Sequence, residues 1–134
     1  MIILNCKKIV GGTGEGLVLT TKQPINFLAM VDAKTGKIVD PTHELYNEPL
    51  KSKILIFPYA VGSSVGAYTI YALRYNGNAP TAIICSKIDI TTASGCAIAN
   101  IPLVGLPEAT AISKIPKGSR VIVQADICRV IADV

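Results

Sequence analysis

The sequence predicts an α/β fold of the β/β/α kind: a barrel-like sheet with one parallel β-α-β unit packed on it and few helices. Three observations carry this. Short runs rich in Ile and Val recur between Gly, Pro, Asp and Asn along the whole chain, as strands do between turns. Only two stretches read as helices, one opening near Ser63 or Ser64 and one over Ser94–Asn100. The first lies between two apolar runs, Ile54–Phe57 and Thr81–Cys85, the spacing of parallel strands joined by a right-handed crossover. The 134 residues suffice for a single domain, 1–134, with one sizeable core.

Met1 to Val10 reads as a strand. Gly11 to Gly16 (GGTGEG) is a turn whose glycines take positive φ, and Leu17 to Thr20 is the next strand. This glycine cluster is not a phosphate loop. Leu17 and Leu19 break the Gly-x-Gly-x-x-Gly spacing, and a strand follows rather than a helix. Pro24 to Val31 is a further extended run, Asp32 to Lys37 a turn, and Phe27 to Val39 therefore a hairpin. Thr42 to Lys53 is polar and holds the one histidine, His43, which reads as a loop residue rather than a catalytic one. Ile54 to Phe57 is a buried strand that Pro58 ends. The helix after Gly62-Ser63-Ser64-Val65-Gly66 stops at Asn76-Gly77-Asn78. A strand follows at Thr81–Cys85. Ser94 caps the second helix and Pro102 ends it. Ile101 to Leu106 is a short strand, Ile112 to Pro116 leads into a turn at Lys117-Gly118, and Arg120–Gln124 and Ile127–Ile131 are C-terminal strands.

Composition narrows the function. Half the residues are apolar and 16 % are charged, a globular balance that leaves apolar surface for a partner chain. The net charge of +4 is scattered, with no basic run interleaved with aromatics, so nucleic acid is not the expected ligand. No apolar run reaches the roughly 18 residues of a membrane span, and the N-terminus lacks the pattern of a signal peptide. The expected location is the cytoplasm. Cys6, Cys85, Cys96 and Cys128 form no C-x-x-C pair and read as reduced, buried hydrophobes, so no metal site is expected on this chain.

The chemistry concentrates at Gly62-Ser63-Ser64-Val65-Gly66. A strand, a Gly/Ser turn and a helix start bring two hydroxyls and backbone N–H groups to a place that suits an anion or a developing negative charge. A serine at that position serves as an N-cap, which explains one hydroxyl and not two. The turn also fits Gly-x-Ser-x-Gly, with Ser64 as a hydrolase nucleophile. That reading fails because the histidine precedes the serine instead of following it. The other enzymatic reading makes a serine a base. Donors and the helix start stabilise its alkoxide, which removes a proton α to a carboxylate while a Lewis-acid metal held elsewhere helps a β-hydroxyl leave. The helix is apolar nearly all round, with Val65, Tyr68, Ala72, Ile70, Tyr71 and Leu73, so the sheet covers one side and a partner chain another. Arg74 lies roughly 16 Å along the axis from Ser63, beyond reach of a ligand at the helix start.

Four segments then carry a resemblance: TGKIVDPTHEL from Thr35, ILIFPYAVGSSVGAYTIYAL from Ile54, APTAII from Ala79 and CAIANIPLV from Cys96. In this order and spacing, across Gly14 to Val130, they resemble the small subunit of the aconitase X family, and its archaeal branch most. The resemblance implies a fold similar to the swivelling domain of aconitases and a separate large subunit that carries an iron–sulfur cluster on its own cysteines. It implies Ser63 as the proton acceptor, with Gly62, Ser64, Val65 and Gly66 binding substrate or holding the alkoxide. The implied reaction is dehydration of (R)-5-phosphomevalonate to trans-anhydromevalonate 5-phosphate, in a mevalonate route to isoprenoids. The alternatives are a related dehydratase acting on cis-3-hydroxy-L-proline, or a non-catalytic assembly domain in which Ser63 and Ser64 are caps. The sequence departs from the family pattern at Tyr59-Ala60-Val61, where a Gly or Arg is usual, and at Thr91-Thr92, where an apolar stretch is usual.

Overall fold

The computed structural model describes residues 1–133 and builds them around an eight-stranded mixed sheet. The elements run β1 (Ile2–Asn5), β2 (Lys7–Val10), β3 (Thr13–Thr20), α1 (Phe27–Met30), β4 (Val31–Asp32), β5 (Lys37–Ile38), β6 (Lys53–Tyr59), α2 (Gly66–Tyr75), β7 (Ala82–Lys87), α3 (Ile90–Ala99), β8 (Leu103–Gly105), α4 (Glu108–Lys114), β9 (Arg120–Gln124), a 3-10 turn (Ala125–Ile127) and β10 (Arg129–Asp133). The strand order is β1-β10-β9-β3-β6-β7-β8-β2. The centre, β3-β6-β7-β8, is parallel, as the β-α-β spacing required, and the flanks are antiparallel.

The N-terminal stretch is two strands rather than one. It breaks at Cys6, so that β1 pairs with β10 at one end of the sheet order and β2 with β8 at the other. One continuous ribbon thereby joins both edges and makes the sheet barrel-like, which removes the open edges that invite mispairing. Successive residues of the central strands face opposite ways. Ile54, Ile56, Ala82 and Ile84 fill the barrel interior with Val121, Val123, Val130 and Ala132. Leu55, Phe57, Ile83 and Cys85 face a second core under the helices with Phe27, Ile70, Leu73 and Cys96. These strands are apolar throughout because both faces are buried. The helices α2 and α3 pack closely at Gly95, where a Cβ would meet the Ile70 side chain at 2.9 Å.

Several boundaries differ from the sequence expectation. The glycines at 14 and 16 lie inside β3, not in a turn. A Cβ on Gly14 would sit 2.5 Å from the Thr81 carbonyl oxygen, and one on Gly16 would strike that of Ser52. Their task is close backbone approach rather than turning. Pro58 lies within β6; pairing with β3 ends at Thr20↔Ile56, so its missing N–H breaks no ladder on that side. Phe27–Met30 is a helical turn capped by Asn26, which confines the hairpin to Val31–Ile38. The helix α3 starts at Ile90, capped by Asp89, rather than at Ser94, and Asn100 ends it in the left-handed conformation. The helices number four among the described residues, not two: α1 and α4 are additional. The last strand starts at Arg129 because the 3-10 turn occupies Ala125–Ile127.

Candidate active site

The parallel strands β6 and β7 finish side by side, with Tyr59 opposite Lys87. Sites in parallel sheets gather at such carboxyl ends, where loops leave in different directions. The loop after β6 carries Gly62, Ser63, Ser64 and Val65 into α2. The loop after β7 carries Asp89 into α3, where its carboxylate accepts from the Thr91 and Thr92 N–H groups. A third segment is drawn alongside by the Val61 N–H, which donates to the Ile25 carbonyl at 3.0 Å. This brings Asn26 under the turn. Gly62 has φ +96°, and a Cβ there would drive into the Asn26 side-chain amide. Glycine is therefore demanded twice, by dihedral and by space. The Asn26 Oδ1 accepts from the Ala29 N–H at 3.1 Å, so the same residue caps α1 and backs the Gly62 turn.

The turn itself is tighter than a capped helix start. The helix begins at Gly66, and Val65 stands at the N-cap, where its side chain makes no capping bond. Neither serine is an N-cap, which corrects the expected start at Ser63 or Ser64. The Val65 N–H donates to Ser63 Oγ at 3.1 Å. The N–H groups of Gly66, Ala67 and Tyr68 donate to the carbonyls of Ser63, Ser64 and Val65 at 3.0, 3.2 and 2.9 Å. The bond to Ser63 Oγ and these i→i−3 bonds consume donors expected to face a ligand, those of Val65 and Gly66 included. The N–H groups of Ser63 and Ser64 have no partner among the described residues. Gly62, Ser63, Ser64 and Val65 are exposed, whereas Gly66 is buried beneath them.

Apolar side chains surround the turn in the open. Leu28, Tyr59, Val61, Val65 and Ile90 are each at least 40 % exposed. The Lys87 ammonium lies 6.0 Å above the Tyr59 ring, a cation at the margin of the same edge. An apolar groove leads away from Ser64 and Val65 between α2 and α3, past Tyr68, Tyr71, Ser94 and Ile98.

The remaining chemistry-bearing residues have structural work. His43 is buried; its Nε2 faces the Pro24 carbonyl at 3.1 Å and its Nδ1 accepts from the Leu45 N–H at 3.0 Å. Those partners fix the neutral Nε2–H tautomer and leave neither nitrogen for catalysis, as expected of a loop histidine. Burial pushes the thiols of Cys85 and Cys96 up to about 12. No group of three or more His, Cys, Asp or Glu converges among the described residues. The sequence reading missed Asn26 and Asp89. The signal was present in both cases, an Asn or Asp directly before a short apolar helical run.

A β/β/α barrel with a Ser-bearing turn exposed at the strand ends, ringed by uncovered apolar side chains, has the architecture of a swivel-type domain. Residues 3–131 match the aconitase X swivel domain model, and the chain belongs to that family. The phosphomevalonate dehydratase small subunit of Thermococcus gammatolerans is 42 % identical to it over 123 residues, with 92 % of each chain covered. The phosphomevalonate dehydratase small subunit of Methanothrix thermoacetophila is 45 % identical over 123 residues, covering 91 % of this chain and 88 % of that one. The fold is similar to the crystal structure of Thermococcus kodakaraensis aconitase X in its holo-form, with TM-score 0.93, 38 % identity and complete coverage of both chains.

Proposed function

We propose that this chain is the small subunit of a two-chain hydro-lyase that dehydrates (R)-5-phosphomevalonate to trans-anhydromevalonate 5-phosphate, with Ser63 as proton acceptor. The observation that carries the reading is the exposed Ser63 hydroxyl in its turn, in a chain over 40 % identical along nearly its whole length to subunits named for that substrate. A serine accepts a proton α to a carboxylate only as its alkoxide, which needs donors aimed at the oxygen. The Val65 N–H already points at Ser63 Oγ, and the start of α2 adds the positive end of the helix dipole. The free N–H groups of Ser63 and Ser64 and the hydroxyl of Ser64 are left for substrate oxygens. Gly62 lets a ligand approach the backbone, while Val65 and Gly66 shape the turn.

In open water these donors compete with solvent and are weak. The site works once a second chain covers it, and the exposed ring of Leu28, Tyr59, Val61, Val65 and Ile90 supplies a surface to cover. We assign that cover to the large subunit and place the iron–sulfur cluster there, where it would assist departure of the β-hydroxyl.

The test mixes this chain with its large subunit and follows water loss from (R)-5-phosphomevalonate. Either chain alone is expected to be inactive and the mixture active. Ser63→Ala is expected to leave the complex intact and lower turnover by about 10²- to 10⁴-fold. Normal turnover in that variant overturns the base assignment. Turnover of cis-3-hydroxy-L-proline in place of the phosphorylated acid overturns the substrate.

A further inference from the structure

We propose that Cys6 and Cys128 are a redox-modifiable cross-strand pair, which closes to a disulfide and fastens the barrel-closing ribbon. The register of β1 against β10 runs from Ile2↔Ala132 to Asn5↔Arg129. One further step on the same register sets Cys6 opposite Cys128. The Cys6 N–H donates to the Cys128 carbonyl at 2.9 Å, while the Cys128 N–H turns to the Ala125 carbonyl, so a single bond joins the two residues just beyond the end of the ladder. Opposed residues joined by such a hydrogen bond have Cα atoms about 5.5 Å apart. A disulfide spans Cα separations of about 4.4–6.8 Å.

The surroundings give the two thiols different tasks. Both are free. Cys128 is exposed rather than buried as its sequence implied, because it is the left-handed residue between the 3-10 turn and β10. Cys6 is half-buried and packs against the barrel interior. Burial, then the charge of the neighbouring Cys128, pushes the Cys6 thiol up to about 11, so Cys6 is not the initiating thiolate. Cys85 and Cys96 are sealed in the core under the helices, away from any oxidant.

The oxidant is a low-molecular-weight disulfide such as oxidised glutathione. The Cys128 thiolate attacks one of its sulfurs, forming a mixed disulfide and expelling one glutathione thiolate. Cys6 then gives up its proton and attacks the Cys128 sulfur, expelling the second. Two protein thiols become one disulfide, one glutathione disulfide becomes two thiols, and both protein protons end on the released thiols. The bond forms at Cys6, the break between β1 and β2, where the ribbon passes from one end of the sheet order to the other. It closes a loop of almost the entire chain, where the constraint on the unfolded chain is largest in the loop-entropy account.

The test incubates the purified full chain with oxidised glutathione at mildly alkaline pH, traps remaining thiols by alkylation, and combines non-reducing peptide mapping with a thermal melt. The expected result is loss of two hydrogens, a Cys6–Cys128 linked peptide, and a thermal midpoint higher by about 5 °C or more that dithiothreitol reverses. Cys128→Ser, at an exposed position, should fold normally and lose the shift. Three results would each overturn the proposal: Cys128 capped by glutathione with Cys6 still free, a bond joining two chains, or unmodified thiols.

Discussion

Thr92 is fully buried in the first turn of α3, and its hydroxyl has no partner among the described residues. A buried hydroxyl without a hydrogen bond costs about 1–3 kcal/mol of desolvation. Thr92→Val keeps the β-branched shape and removes the cost, so the variant should be as stable as the parent or up to about 1 kcal/mol more stable. Chemical denaturation measures this directly; a clear loss of stability would mean that the hydroxyl has a partner in solution. At the same scale the geometry of the candidate turn was half legible. Ser63 and Ser64 stood out because a Gly/Ser turn between a strand and a helix is rare punctuation. The bond from Val65 to Ser63 Oγ did not, because it depends on a 3-10 start that residue type alone does not encode. His43 was legible as structural, and its two hydrogen bonds account for its burial.

Elements were legible where burial on both faces writes itself into composition, and illegible where a short side-chain bond decides. The strands β6 and β7 stand out in the sequence as apolar runs, and β9 as a buried alternation. The helix α3 was started four residues late because Ser94 looks like a cap, whereas Asp89 is the residue that accepts two N–H bonds. The glycines of β3 read as a turn in the sequence because the carbonyls of Thr81 and Ser52 that require them belong to distant segments. The same reasoning identifies α1 as the weak support of the site. Four residues cannot sustain a helix alone, and α1 depends on Asn26. Asn26→Ala should cost about 1 kcal/mol in the cap and remove the side chain that Gly62 rests against. Urea unfolding should show the loss. Turnover of the reconstituted enzyme should fall while complex formation persists. Unchanged stability and unchanged turnover together would remove Asn26 from the account.

The whole molecule is a sheet closed by its own first ten residues, and ionised carboxylates tie down its connections. Asp126 accepts from Lys8 at 3.1 Å and from the Gly12 N–H at 3.1 Å, joining the 3-10 turn to the N-terminal ribbon. Glu44 accepts from the Thr21 hydroxyl, and from the Lys22 N–H at 2.9 Å, joining the loop around His43 to the end of β3. Asp40 accepts from the hydroxyl and the N–H of Thr42. Hydrogen bonds hold all three carboxyls below their ordinary values: from Lys8 and then Gly12 for Asp126, chiefly from Thr21 for Glu44, and from Thr42 for Asp40. The charged forms of Asp126 and Glu44 have these partners only in the fold, whereas Asp40 bonds its near neighbour Thr42, so at Asp126 and Glu44 the unfolded chain takes up protons first as pH falls. The stabilisation is therefore complete above the ordinary carboxyl values and is lost as pH drops through the lower, folded ones. The thermal midpoint should be level above about pH 5 and should fall on acidification below about pH 4. Asp126 and Glu44 are exposed and Asp40 is half-buried, so each contributes little alone and high salt should mute the Asp126 share. The discriminating measurement is the thermal midpoint against pH for the parent and for Asp126→Asn with Glu44→Gln. The double variant should start lower at neutral pH and decline less steeply in acid. Parallel curves for the two proteins would show that these carboxylates do not carry the acid response.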